Sequence, residues 1–142
     1  MKADANDVTK TDDRAAEQGA EVRHAVAPPL APVLDLAHLA RMTVGDRALE
    51  REVLALFDLQ ADTLLARMAS QEPRVVAALA HTLAGSASGI GAWKVAAAAA
   101  AVERAASEPG AIALTGLMDS LVEAVAEVHA AIGEIHHADR AR

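Results

Sequence analysis

The chain has no cysteine and no tyrosine, and its only aromatic side chains are Phe57 and Trp93. Without thiols, disulfides and thiolate metal sites are excluded. Basic residues are also scarce: 13 Lys and Arg stand against 20 Asp and Glu, for a net charge of −7. With no basic patch, phosphate-backbone binding is not expected, and nucleic acid is set aside as a partner. Long apolar runs are missing too. The 19 residues between Arg74 and Lys94 carry no formal charge, close to the ~20 needed to span a bilayer. Yet they include His81, Thr82, Ser86, Ser88, three glycines and many alanines, leaving too few large apolar side chains for insertion. No signal-peptide core is visible, so a cytoplasmic location is expected.

What the chain has instead is alanine within a 53% hydrophobic composition, which favours helix. At 142 residues there is room for one core. Residues 1–32 read as a disordered acidic tail: ten of the first 27 residues are charged, no apolar period appears, and Pro28, Pro29 and Pro32 close the segment. Residues 33–138 read as the folded domain and 139–142 as a frayed end.

Five amphipathic segments follow. Leu34 to Met42 predicts a short helix with Leu36, Leu39 and Ala40 on one side, ended by Thr43-Val44-Gly45. From Asp46, a good N-cap, the row Leu49, Val53, Leu56, Phe57, Leu64, Leu65 and Met68, with Gln60 among them, predicts a core-facing stripe. Ser70 is placed to cap the third helix, with Pro73 in its first turn, and Val76, Leu79, Leu83, Ala87 and Ile90 form its buried row. Gly89 and Gly91 are expected to break it. The fourth helix, about Ala92 to Ser107, has the small row Val95, Ala98 or Ala99, Val102 and Ala106, and six alanines, Ala96 to Ala101, that let a neighbour approach closely. Glu108-Pro109-Gly110 ends it. The last helix carries Leu114, Met118, Leu121, Val125, Val128, Ile132 and Ile135 in heptad spacing. The fold class is therefore all-α, an antiparallel four-helix bundle, up-down-up-down, with a short additional N-terminal helix. The heptad is read as a bundle seam, so a monomer is expected; a dimer through that seam is the alternative.

His81 is offset by two residues from both Leu79 and Leu83, roughly opposite their buried row at ~100° per residue, and should face water. The run Ala80-His81-Thr82-Leu83-Ala84-Gly85-Ser86-Ala87-Ser88-Gly89-Ile90-Gly91-Ala92, followed by Val102-Glu103, resembles the histidine-containing phosphotransfer (HPt) domain of multistep two-component signalling. That family's pattern is close to A-H-x-L-K-G-S-A-x-x-[IL]-G-A with a hydrophobic-Glu pair in the next helix. The likeness covers about residues 34 to 135, including Leu54-Ala55-Leu56-Phe57.

The resemblance implies a phosphoryl carrier rather than an enzyme. Nε2 of His81 would take phosphoryl from an aspartyl phosphate on one receiver domain and pass it to another, the receivers belonging to hybrid histidine kinases and response regulators. No cofactor is expected on this chain; Mg²⁺ and the acidic groups would come with the receiver. A free imidazole titrates near 6.5, so it offers a nucleophilic nitrogen at neutral pH.

Gly85, one turn past His81, would leave room for a receiver loop. The expected docking footprint is Arg74, Ala77, Ala78, His81, Ala84, Gly85 and Ser88, with Lys94 at its edge. Ala84 departs from the family, which has lysine there; Arg74 and Lys94 are the candidate replacements for that charge. Glu103 is read as a structural or solvated residue, and Ser86 and Ser88 as helix-end polar groups. His136-His137-x-Asp139 lacks the spacing of a metal site, and the glycines follow a helix, unlike a dinucleotide loop. The alternatives are an HPt-like adaptor that binds receivers without transfer, and a structural dimerisation bundle.

Overall fold

The computed structural model describes residues 32–108 and 114–141. The readings for the tail up to residue 31 and for Pro109 and Gly110 lie outside the described residues. Among these residues there are five helices and no strand: α1 Leu36–Met42, α2 Arg47–Met68, α3 Pro73–Ile90, α4 Trp93–Ser107 and α5 Leu114–Ala141. Helices α2 to α5 form an antiparallel four-helix bundle in which α3 packs on α2 and α4, and α5 closes the ring against α4 and α2. Helix α1 packs on α3.

Local chemistry sets most boundaries. The Asp35 carboxylate accepts the His38 backbone N–H at 3.0 Å and opens α1. Asp46 does the same for Leu49 at 3.0 Å and opens α2; caps of this kind stabilise a helix by about 1 kcal/mol each. Between them Val44 and Gly45 take positive φ, and the Gly45 N–H reaches Ala40 O at 2.9 Å. Ser70 does not cap α3. The N-cap is Glu72, which makes no side-chain hydrogen bond, and Pro73 fills the first position, where a missing N–H costs nothing.

Gly89 does not break α3 either; the helix runs on to Ile90. The turn is made by Gly91 alone, at φ 80°, with the Ala92 N–H reaching back to Ala87 O at 2.9 Å. Glycine is required there twice over. Its φ is left-handed, and a Cβ would sit 2.9 Å from the Cβ and the carbonyl oxygen of Asp35. That close approach allows the Asp35 N–H to donate to Gly91 O at 2.9 Å and seats α1 on the α3–α4 turn. Trp93 completes the junction: its Nε1 donates to Asp35 Oδ2 at 3.0 Å, and its ring lies 4.9 Å from that of His38. The Trp93 bond, then the His38 N–H, hold the Asp35 carboxyl below its usual range.

The core is built from Leu39, Leu54, Leu83, Val95, Val102, Leu121, Val125, Val128 and Ile132, all essentially inaccessible. Each such side chain stabilises the fold by about 1.5–3 kcal/mol through burial. The expected rows of α3 and α4 are buried, with Ala80 added to the first and Ala99 rather than Ala98 in the second. The heptad residues of α5 from Leu121 to Ile132 are buried inside the bundle, and Leu114, Met118 and Ile135 pack against its core.

Helices α1 and α2 depart from expectation. In α1 only Leu39 is buried, while Leu36 is exposed. In α2 the buried row is Leu54, Phe57, Ala61, Leu64 and Met68, whereas Leu49 and Leu56 face outward. Ala61 is fully buried in this row. At the far end α5 continues through residues 139–141, where fraying was expected. Asp139 is held there by Arg47 at 3.2 Å and Arg51 at 3.8 Å.

Candidate functional site

His81 lies midway along α3, and its side chain is 76% exposed. Its one polar partner among the described residues comes from the next helix: Nδ1 is 3.0 Å from Oε2 and 3.2 Å from Oε1 of Glu103. A carboxylate only accepts, so Nδ1 carries the proton and donates it to Glu103. This fixes the tautomer. In the neutral ring Nε2 is then the nitrogen with the lone pair, on the solvent side, and the carboxylate holds the ring in place. Glu103 was read as structural from sequence, 22 residues away. The signal was its position: α3 and α4 run antiparallel about Gly91, which brings residues equally far from the turn to one level.

The remaining expected residues divide. Gly85, one turn on, is exposed, and a Cβ built on it meets nothing within 4 Å. Ala78 and Arg74 are exposed and Ser88 is half-buried. Ala77 and Ala84 are half-buried and pack against the core, so they serve the bundle as well as its surface.

Lys94 is paired away from His81: its Nζ is 3.1 Å from both carboxylate oxygens of Glu127 on α5. It also sits at the start of α4, nine residues before Glu103, or about 13 Å along the axis. Spacing counted through the glycine turn did not reveal that Lys94 faces the other neighbour.

Sequence reasoning missed the apolar flank. Met42, Leu49, Leu56 and Leu59 are 59, 41, 65 and 67% exposed. With Val53 and the buried Phe57 they line a groove of about 870 Å³, whose opposite wall contains Ser86, Gly89 and Ile90 of α3. Gly85 lies next to that wall in the same helix, so the groove opens one to two turns from the imidazole. Clustered exposed apolar side chains of this kind mark interaction surfaces.

A second histidine is engaged at the α2–α5 seam. His129 has Nδ1 hydrogen-bonded to Asp58 and Nε2 2.8 Å from Asp62. Burial, the largest influence, pulls its pKa down, but the hydrogen bonds and charges of the two aspartates together outweigh it and raise the pKa above 6.5. With both nitrogens committed to carboxylates, this imidazole is a structural clasp, not a nucleophile. Among the described residues no three His, Asp or Glu side chains converge as metal ligands, and no helix is long and apolar enough to cross a membrane.

A comparison with curated proteins finds no match. Among solved structures, the chain is similar to the crystal structure of histidine-containing phosphotransfer protein B (HptB) from Pseudomonas aeruginosa PAO1. The two share 20% identity and a TM-score of 0.70, over 75% of this chain and 96% of that one; at this identity the likeness speaks for the fold. A family model described as Hpt domain matches residues 51–138, which contain His81, Gly85 and Glu103. The chain belongs to the Hpt domain family.

Proposed function

We propose that this protein is a phosphorelay carrier that receives a phosphoryl group on Nε2 of His81 from the aspartyl phosphate of one receiver domain and delivers it to the aspartate of another. The observation that carries the reading is the exposed His81 imidazole held through Nδ1–H by Glu103, in a chain of this family. In the forward step the Nε2 lone pair attacks phosphorus, the acyl phosphate P–O bond breaks, and the receiver carboxylate departs. The ring, still protonated at Nδ1, becomes cationic, and the Glu103 carboxylate stabilises it. Return transfer reverses these bond changes.

Mg²⁺ and acidic groups belong to the receiver in this proposal, since phosphoryl transfer depends mainly on positioning and charge. His81 acts as carrier, with no cofactor on this chain. The groove lined by Leu49, Leu56 and Leu59 takes an apolar face of the receiver, and Gly85 and Ser88 leave clearance for its loops, with Arg74 and Ala78 on the rim. The receivers are those of hybrid kinases and response regulators, and the setting is the cytoplasm. Residues 33–138 act as the working domain.

The test is transfer from a phosphorylated receiver. Acid-labile, alkali-stable label is expected on the wild type and none on His81→Gln, with transfer to Glu103→Gln slowed by about tenfold or more through loss of the tautomer-fixing carboxylate. Label persisting in His81→Gln overturns the assignment; receiver binding without label in the wild type replaces it by the adaptor reading.

A further inference from the structure

Phosphorylation of His81 places roughly −1.5 to −2 charges on Nε2, in a ring whose other nitrogen already faces the Glu103 carboxylate at 3.0 Å. Two concentrations of negative charge on one imidazole call for a cation. Lys94 is paired with Glu127, and position 84 is an alanine packed against the core. Among the described residues of α2 to α4 around this site, the guanidiniums without a carboxylate inside 4 Å are those of Arg67, Arg74 and Arg104, and Arg67 belongs to the α2 groove, which leaves the other two.

Helix geometry separates them. Arg74 is seven residues before His81 in the same helix, about 10 Å along the axis, and because both side chains lean toward the same N-terminus that separation is kept. Arg104 directly follows Glu103, about 1.5 Å along the axis and 100° around it, and is exposed. It therefore leaves α4 at the level of the pair that Glu103 makes with His81, and its long side chain has the reach to turn toward the imidazole from there.

We infer that Arg104 is the residue that neutralises the phosphoryl group on His81, supplying from α4 the positive charge that α3 lacks at Ala84. The inference rests on His81 being the phosphoacceptor. Arg104 folds over the phosphoryl oxygens once they arrive and donates charge-assisted hydrogen bonds to them, while Glu103 remains on Nδ1–H. Glu103 and Arg104, adjacent in sequence, thus serve opposite ends of one imidazole.

Two measurements test it. The chain is phosphorylated with potassium phosphoramidate and the phosphohistidine followed by ³¹P NMR against pH. Removing the nearby cation in Arg104→Gln is expected to raise the pKa of the second phosphoryl ionisation, with Arg104→Lys close to wild type and Arg74→Gln unchanged. Transfer from a phosphorylated receiver to Arg104→Gln is expected to fall about tenfold, less than for a donor removed from an enclosed catalytic site because this one is open to water. An unchanged ³¹P titration in Arg104→Gln overturns the inference, as does a shift found in Arg74→Gln instead. Neither outcome touches the acceptor assignment, which fails only if His81→Gln still takes the label.

Discussion

Replacing Gly85 by glutamine sets stability against function in one substitution. Glycine inside a helix costs about 1 kcal/mol relative to alanine, and glutamine ranks close to alanine, so the exchange is expected to gain about 0.5 kcal/mol. The gain arises chiefly in the unfolded chain, which has fewer conformations to lose. Nothing in the folded protein opposes it: Gly85 has helical backbone, and a Cβ there has no neighbour within 4 Å. For a domain of this size the gain corresponds to a rise in Tm of roughly 2–4 °C. The same side chain projects one turn from His81 over the surface assigned to the receiver, so transfer is expected to slow at least about tenfold. Circular dichroism melting and receiver-to-carrier transfer read the two effects. A Tm lowered by several degrees would show that the fold needs the glycine, and a raised Tm with unchanged transfer would refute the access argument.

The His129 clasp gives stability a defined pH dependence. Because its folded pKa is raised, His129 contributes fully below the unfolded value of 6.5 and loses that contribution as pH rises through the folded pKa. The Tm difference between wild type and His129→Gln is therefore expected to be largest below pH 6.5 and to shrink above it. The clasp should amount to about 1 kcal/mol or less, since its partners are partly solvated, and a difference growing with pH would contradict the assignment. In the groove, Leu56→Ser and Leu59→Ser are expected to leave stability within about 0.5 kcal/mol, as both side chains are exposed. Together they should weaken receiver binding about tenfold by calorimetry; an unaltered Kd would remove the groove from the docking surface.

Rows of side chains proved legible wherever burial was their only duty. Helix α3 shows its core face in Val76, Leu79, Leu83, Ala87 and Ile90, and the exposure of His81 follows from that face by simple rotation. Helix α2 misled because its apolar residues serve two surfaces. Leu54, Phe57 and Ala61 face the core, while Leu49 and Leu56 line the groove, and one stripe drawn through both sets mixes them. The contacts of Glu103 and Lys94 were out of reach of the sequence for a shared reason. Periodicity gives angles within a helix but not which neighbour each side meets, so only the antiparallel pairing shows that Glu103 turns to α3 and Lys94 to α5.

The alanine run of α4 has a consequence beyond economical packing. Ala96, Ala98 and Ala99 lie in or against the core, so small side chains set how near α4 comes to its neighbours, and Glu103 rides on that helix. The run acts as a spacer of fixed gauge. A valine or leucine at Ala99 would push α4 outward and lengthen the Glu103–His81 bond without touching either residue. The geometry at the imidazole therefore depends on the methyl groups of α4 as well as on the two residues that make the bond.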